Sequence, residues 1–352
     1  LPTIPHIEKN VNFAPHVVLL GAGASIASYI DWGSTGDKLP SMQDLIEVLD
    51  LRPIIKDSGF DSEKLNFEAF YDDLSSSGGH EDLRKEIEKR TYEYFSTLSL
   101  PDRPTIYDYL VLSLREKDLI ATFNWDPFLI QAYMRNEVVS SKRRPRIACL
   151  HGNVSIGVCE KDQVSGINGR FCSKCREYLT PSKLLYPVKH KDYNTDHYIK
   201  GEWDALRFHL KYAYFLTVFG YSAPVTDVEA RELMLNVWKD NKSLELAEVN
   251  IIDVRDRGEI EKSWDDFVFS HHSGIYDDIF KSYLFEQPRR SCDAFAAATL
   301  MVNPWHSNPF PRFETLEELQ DWIAPLIQEE EEFESNQTPF SGNFLHPNTG
   351  DL

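Results

Sequence analysis

Short apolar runs recur along this chain, each ended by glycine or a polar residue and followed by a segment with helically spaced apolar positions. Residues 16–20 lead into Gly21-Ala22-Gly23-Ala24-Ser25, after which residues 22–29 continue as a helix. Residues 119–123 end in Asn124-Trp125-Asp126-Pro127, with helical residues 128–134 beyond, and residues 146–150 end in His151-Gly152. A helix over 203–214 precedes a strand over 215–219 that ends in Gly220-Tyr221-Ser222; a helix over 227–240 and a strand over 248–254 follow. A helix over 275–283 is expected to close the alternation. Strands this apolar, separated by helices, fit a parallel sheet covered on both sides. The fold class is therefore α/β, a Rossmann-like parallel sheet with helices on both faces.

Two interruptions break the alternation. Residues 31–118 read as a helical insertion: Ser41-Met42-Gln43-Asp44 is a helix-start signal ahead of Leu45, Ile46, Leu49 and Leu51. Residues 81–95 form an amphipathic helix, and Ser75-Ser76-Ser77-Gly78-Gly79 is a break before it. Residues 153–190 read as a small irregular module. The main domain thus runs over 1–303, and 304–352 is a proline-rich linker, an acidic helix and a polar tail. That helix spans 316–324, where Pro325 should end or kink it. The run Glu329 to Glu332 reads as a solvated face.

Composition narrows the function. Of 352 residues, 42% are hydrophobic, enough for one large core and a smaller lobe, and the net charge is −19. That charge repels phosphate backbones and anionic membranes, so no direct nucleic-acid or membrane binding is expected, whereas a basic protein partner is favoured. No run approaches the ~20 apolar residues a membrane span needs, and no signal-peptide pattern is visible. Five cysteines, an odd number, read as reduced thiols in the cytoplasm.

The chemistry-bearing residues stand at strand ends, where open α/β sheets bind ligands. Glycine at a strand-to-helix turn lets a backbone approach a pyrophosphate, and the helix N-terminus favours the anion; glycine there also serves plain packing. Ser25 can donate to a phosphate or cap the helix. Asn124 and Asp126 either face a ligand or cap their own turn. His151 is a base or a structural imidazole. Cys172-Ser173-Lys174-Cys175 is one half of a zinc-ribbon pattern; the other half, Cys159-Glu160-Lys161-Asp162, has aspartate where a second cysteine belongs. The module is either zinc-ribbon-like, binding zinc through Cys159, Cys172, Cys175 and Asp162 or a histidine, or degenerate. Cys149 and Cys292 read as core residues.

The ordered set GAGxS, T-x-N-x-D, H-G and G-x-S over residues 15–285 resembles the sirtuin superfamily. The resemblance implies that Gly21, Ala22, Gly23 and Ser25 hold the pyrophosphate of NAD. Asn124 and Asp126 would lie beside the nicotinamide ribose, Thr122 would be among the residues that bind NAD, His151 would be the catalytic base, and Gly220, Ser222 and Asp253 would serve the adenosine half. Phe123 replaces the glutamine of the family's T-Q-N-x-D, no G-I-P-D-F-R segment follows GAGxS, and Pro187 interrupts the stretch that pairs with acyl-lysine peptide. The pattern is closer to the sirtuin-like NAD hydrolases of bacterial antiphage systems, including those paired with a HerA-type ATPase. The expectation is an NAD+ glycohydrolase that is a homo-oligomer held in check through a partner. A deacylase or ADP-ribosyltransferase, and a non-catalytic NAD- or ADP-ribose-binding module, are the alternatives.

Overall fold

The computed structural model describes residues 14–29, 39–40, 44–59, 66–137, 139, 143–188, 191–222, 227–241, 243, 245–268, 272–300 and 303–336. The helix-start signal at Ser41-Met42-Gln43 lies outside them. Six parallel strands form the central sheet: β1 (His16–Leu20), β2 (Leu119–Thr122), β3 (Arg146–Cys149), β7 (Phe215–Phe219), β8 (Glu248–Ile252) and β9 (Ser273–Tyr276), in the spatial order β3-β2-β1-β7-β8-β9. Strands β4 (Ile156–Cys159), β5 (Val164–Ile167) and β6 (Thr180–Pro181) make a separate antiparallel ribbon. The chain builds outward from β1 in one direction, then returns to build outward in the other. This is the doubly wound order, and its switch point lies between β1 and β7, in register from His16↔Phe215 to Leu20↔Phe219.

The alternation of strand side chains divides the interior in two. Val17, Leu19, Leu119, Ala121, Leu216, Val218, Val249 and Ile251 point into one core. Helices α8 (His197–Tyr212), α9 (Val228–Lys239) and α10 (Arg257–Trp264) cover that face, contributing Trp203, Trp238 and Trp264. Val18, Leu20, Ile120, Phe219 and Ile252 point into the other. There lie α1 (Ala22–Tyr29), α6 (Ile106–Ser113), α7 (Phe128–Arg135), the short α11 (Tyr283–Glu286) and α13 (Leu316–Asn336). The insertion, with α2 (Leu45–Val48), α3 (Arg52–Asp57), α4 (Phe67–Ser76) and α5 (Glu81–Thr97), has its own cluster, joined to the sheet by Trp125, Val154 and Leu184. Helix α12 (Ser291–Thr299) packs Cys292 and Phe295 against Phe215. Cys149 and Cys292 are both buried, as core residues.

Several expectations are corrected. The helix expected over 275–283 is the edge strand β9, a 3-10 turn at Ile279–Lys281 and α11. Residues 153–190 contain the ribbon instead of being irregular throughout. Helix α13 passes through Pro325 to Asn336, because Leu319, Trp322, Ile323, Leu326 and Ile327 form one buried stripe on both sides of the proline. The acidic run is not simply solvated: Glu330 is buried, accepting from Arg289 and Arg290 at 2.6 Å each. Among the described residues no helix is long and apolar enough to cross a membrane.

Candidate functional site

The turns at the switch point are packed backbone to backbone. Gly21 N donates to Phe219 O at 3.1 Å and Gly23 N to Gly220 O at 2.9 Å. A Cβ on Gly23 would lie 2.8 Å from Gly220 Cα, and Gly220, at φ +61°, would place one 2.4 Å from Ala24 N. The glycines are therefore required for this contact. Because the amides of Gly21 and Gly23 are bonded within the fold, what the turn can offer a pyrophosphate is close approach and the positive end of α1, rather than those two donors. Beside it, a cleft of about 140 Å³ is lined by Gly23, Gly220, Phe219, Ile252, Asp253 and Asp277 among others. Asp253 accepts from the Arg255 guanidinium at 2.7 and 2.9 Å. Ser222 is exposed at the end of the β7 turn.

A polar network joins the β1 and β2 tips. Asn124 Nδ2 donates to Gly21 O and Ser25 Oγ, both at 2.8 Å, while Thr122 Oγ1 accepts from Asn124 N at 3.0 Å. Ser25 Oγ donates to Asp126 Oδ2 at 2.6 Å and lies 2.7 Å from Tyr107 Oη. Asp126 also accepts from Phe128 N at 3.2 Å, so it caps α7 as well. Burial pushes its carboxyl up to about 6, against the hydrogen bonds from Ser25 and Phe128 that favour the anion. Asn153 Nδ2 clamps the same turn through Asp126 O at 2.6 Å. Ser25, Asn124 and Asp126 are thus brought together. Tyr107 and Asn153 were not singled out from sequence; Asn153's position two residues past His151 was the available signal.

At the tip of β3, His151 is buried and its Nε2 has no hydrogen-bond partner. Phe123 stands edge-on to it at 4.9 Å between ring centroids, and Tyr193 lies nearly parallel at 6.2 Å. Burial lowers its pKa to about 4, opposed by Asp227 and reinforced by Lys191. Burial thus favours the neutral ring over the imidazolium. Gly152, at φ +78°, would drive a Cβ to 1.9 Å from Lys183 O. Only glycine lets the chain turn here, so that Leu185 N can donate to His151 O at 2.9 Å.

In the ribbon, donor atoms of Cys159, Asp162, Cys172 and Cys175 all lie within 4.8 Å of one another. Cys159 Sγ is 3.6 Å from both Cys175 Sγ and Asp162 Oδ2, and Cys172 Sγ is 3.3 Å from that oxygen. Tetrahedral zinc with bonds of ~2.3 Å to sulfur and ~2.0 Å to oxygen has ligand–ligand edges of roughly 3.5–3.8 Å. The donor set fits such an ion.

No protein-family model matches the chain, and no curated protein matches it. Solved structures do. A structure from work on sirtuin substrate affinity is 16% identical, covering 75% of this chain and 88% of its own, with a TM-score of 0.39. A Sir2 homolog–NAD complex is 13% identical over 80% and 89%, with a TM-score of 0.41. Sir2 bound to an acetylated peptide is 15% identical over 82% and 93%, with a TM-score of 0.37.

Proposed function

We propose that this chain is an NAD+ glycohydrolase of the sirtuin superfamily, cleaving the nicotinamide–ribose bond with water to give nicotinamide, ADP-ribose and a proton. The observation that carries the reading is the buried, unpaired Nε2 of His151 at the tip of β3, linked to the β7 turn through the rings of Phe123 and Tyr221. A buried imidazole nitrogen without a partner is costly unless a bound group completes it. The ordered motifs supply the substrate: a dinucleotide across the crevice, pyrophosphate at the Gly21–Ser25 turn, adenosine toward Gly220, Ser222 and Asp253.

Departure of a cationic pyridinium needs little covalent help, and the transition state is oxocarbenium-like. The protein must hold the ribose, tolerate positive charge at its anomeric carbon and take a proton. Asn124, fixed by Gly21 and Ser25, anchors the ribose or the attacking water beside Thr122. Asp126 holds Ser25 and supplies negative charge nearby. His151 accepts the proton from a ribose hydroxyl or water. Zinc held by Cys159, Asp162, Cys172 and Cys175 has a structural role in this reading. The motif departures favour an antiphage, NAD-depleting effector in the cytoplasm, restrained until oligomerisation or a partner such as a HerA-type ATPase releases it.

Nicotinamide release from NAD tests this directly, alone, with candidate partners and with an acyl-lysine peptide. His151→Ala and Asn124→Ala are expected to lower turnover at least ~100-fold with unchanged circular dichroism. Full turnover in both variants defeats the assignment. Release only with the peptide, yielding O-acyl-ADP-ribose, makes the chain a deacylase, and NAD binding without release makes it a binding module.

A further inference from the structure

A second set of charged groups connects to His151 through the rings of Tyr221 and Phe123, and its two charges, Lys191 and Asp227, belong to none of the motifs. Lys191 and Asp227 form an ion pair with side chains only 3% and 8% exposed. Tyr221 Oη donates to Asp227 Oδ2 at 3.2 Å, and Lys191 N donates to Glu229 Oε2 at 3.1 Å. The Tyr221 ring stacks on Phe123 at 4.2 Å and 10°, which in turn abuts His151. Tyr193, two residues past Lys191, lies against the imidazole's other side with its own hydroxyl buried and unpaired. Buried ion pairs contribute little net stability, and apolar residues of similar volume do as well or better. Stability therefore does not account for a lysine and an aspartate here.

We propose that Lys191 and Asp227 are positioning residues for His151: an internal ion pair that steadies the ring through Tyr221 and Phe123 and sets its charge state. The proposal rests on the reading of His151 as the base, but its central observable does not require turnover. The charged and titratable groups facing the ring are Asp227, which favours the imidazolium, and Lys191, which opposes it. Around these two stand the phenols of Tyr193 and Tyr221, with Glu229 and Arg231 acting on those phenols.

Removing either charge changes the field at the ring, and the two removals act in opposite directions. In Lys191→Met the remaining carboxylate should raise the protonation midpoint of His151 by about one pH unit. In Asp227→Asn the remaining ammonium should lower it, keeping the ring neutral to the lowest pH at which the fold persists. Lys191→Arg should restore the wild-type midpoint, and the uncharged double variant Lys191→Met/Asp227→Leu should lie near it. The measurement is ¹⁵N imidazole NMR on the full chain from pH 2.5 to pH 8, with far-UV circular dichroism at each point to mark where the fold persists. The acid limb of nicotinamide release should move with the NMR midpoint. Shifts of the same sign, no shift, or a displaced midpoint in the double variant overturns the proposal. A wild-type chain that releases no nicotinamide alone or with any candidate partner, yet shows the opposed shifts, defeats the hydrolase reading and leaves the pair's role standing.

Discussion

Glu202 shows how one buried carboxyl guards the sheet edge. Strand β3 lies at one edge of the sheet, and Glu202 Oε2 accepts from its Cys149 N at 2.8 Å. An edge amide covered in this way offers no template to another chain. Burial pushes Glu202 up to about 7, opposed by Arg146 and by the hydrogen bond from Cys149. The folded pKa lies above the unfolded one, so the contribution to stability is full below about 4.5 and is lost as pH rises through about 7. Glu202→Gln keeps an acceptor for Cys149 and cannot ionise. The variant should match the wild type near pH 4.5 and exceed it at pH 8 by on the order of 2 kcal/mol; urea melts at the two pH values read the difference. Equal stability at both would show that Glu202 ionises freely. At this scale the motif glycines and the Ser25, Asn124 and Asp126 set were legible, because each motif sits on one continuous stretch. Lys191, Asp227 and Tyr193 were not, since only the fold brings them to His151.

Helix α13 shows what a helix gains from a buried clasp. Arg289 bonds Leu112 O and Leu114 O through Nη1 and meets Glu330 through Nε and Nη2, while Arg290 reaches Glu330, Glu329 and Leu326 O. The helix is thereby tied to the end of α6. Glu330→Ala removes the shared carboxylate and leaves two guanidiniums buried with less than their due of counter-charge; destabilisation of about 3–5 kcal/mol is expected from urea unfolding. A change below about 1 kcal/mol would mean that water and the backbone carbonyls satisfy both arginines. Periodicity revealed the apolar stripe of α13 but not its continuation, since Pro325 deletes one hydrogen bond while the packing on both sides persists. Strand β9 was misread for a related reason. Ser273-Gly274-Ile275-Tyr276 is too short to separate a period of 2 from one of 3.6, and only pairing with β8, from Val249↔Ser273 to Ile252↔Tyr276, decides it.

The whole molecule is a large two-faced sheet carrying a ribbon whose small core is Cys159, Cys172 and Leu179. The sheet pattern and the cysteine spacing could be read from sequence, whereas the strand order with its switch point and the ribbon's strands could not: β6 is two residues long and is defined by its pairing with β4. So small a cluster buries too little apolar surface to hold a fold by itself, which is the usual circumstance of a structural metal. If zinc supplies that stability, the chain should carry about one zinc per molecule by elemental analysis. Chelation should then accelerate amide exchange over residues 156–181 while β1, β2 and β7 stay protected, because their cores are separate from the ribbon's. Asp162→Ala should weaken zinc retention, and Asp162→Cys, which completes a four-thiolate set, should strengthen it. The ribbon also reaches the site, since Ser182 N donates to Ile156 O and Ser182 Oγ to Asn153 O, both at 2.9 Å. Asn153 in turn clamps the Asp126 turn. Loss of zinc should accordingly loosen that turn and lower turnover without unfolding the sheet. Unchanged exchange in the ribbon after exhaustive chelation would make the cluster a set of packed thiols and assign the ribbon's order to its backbone pairing alone.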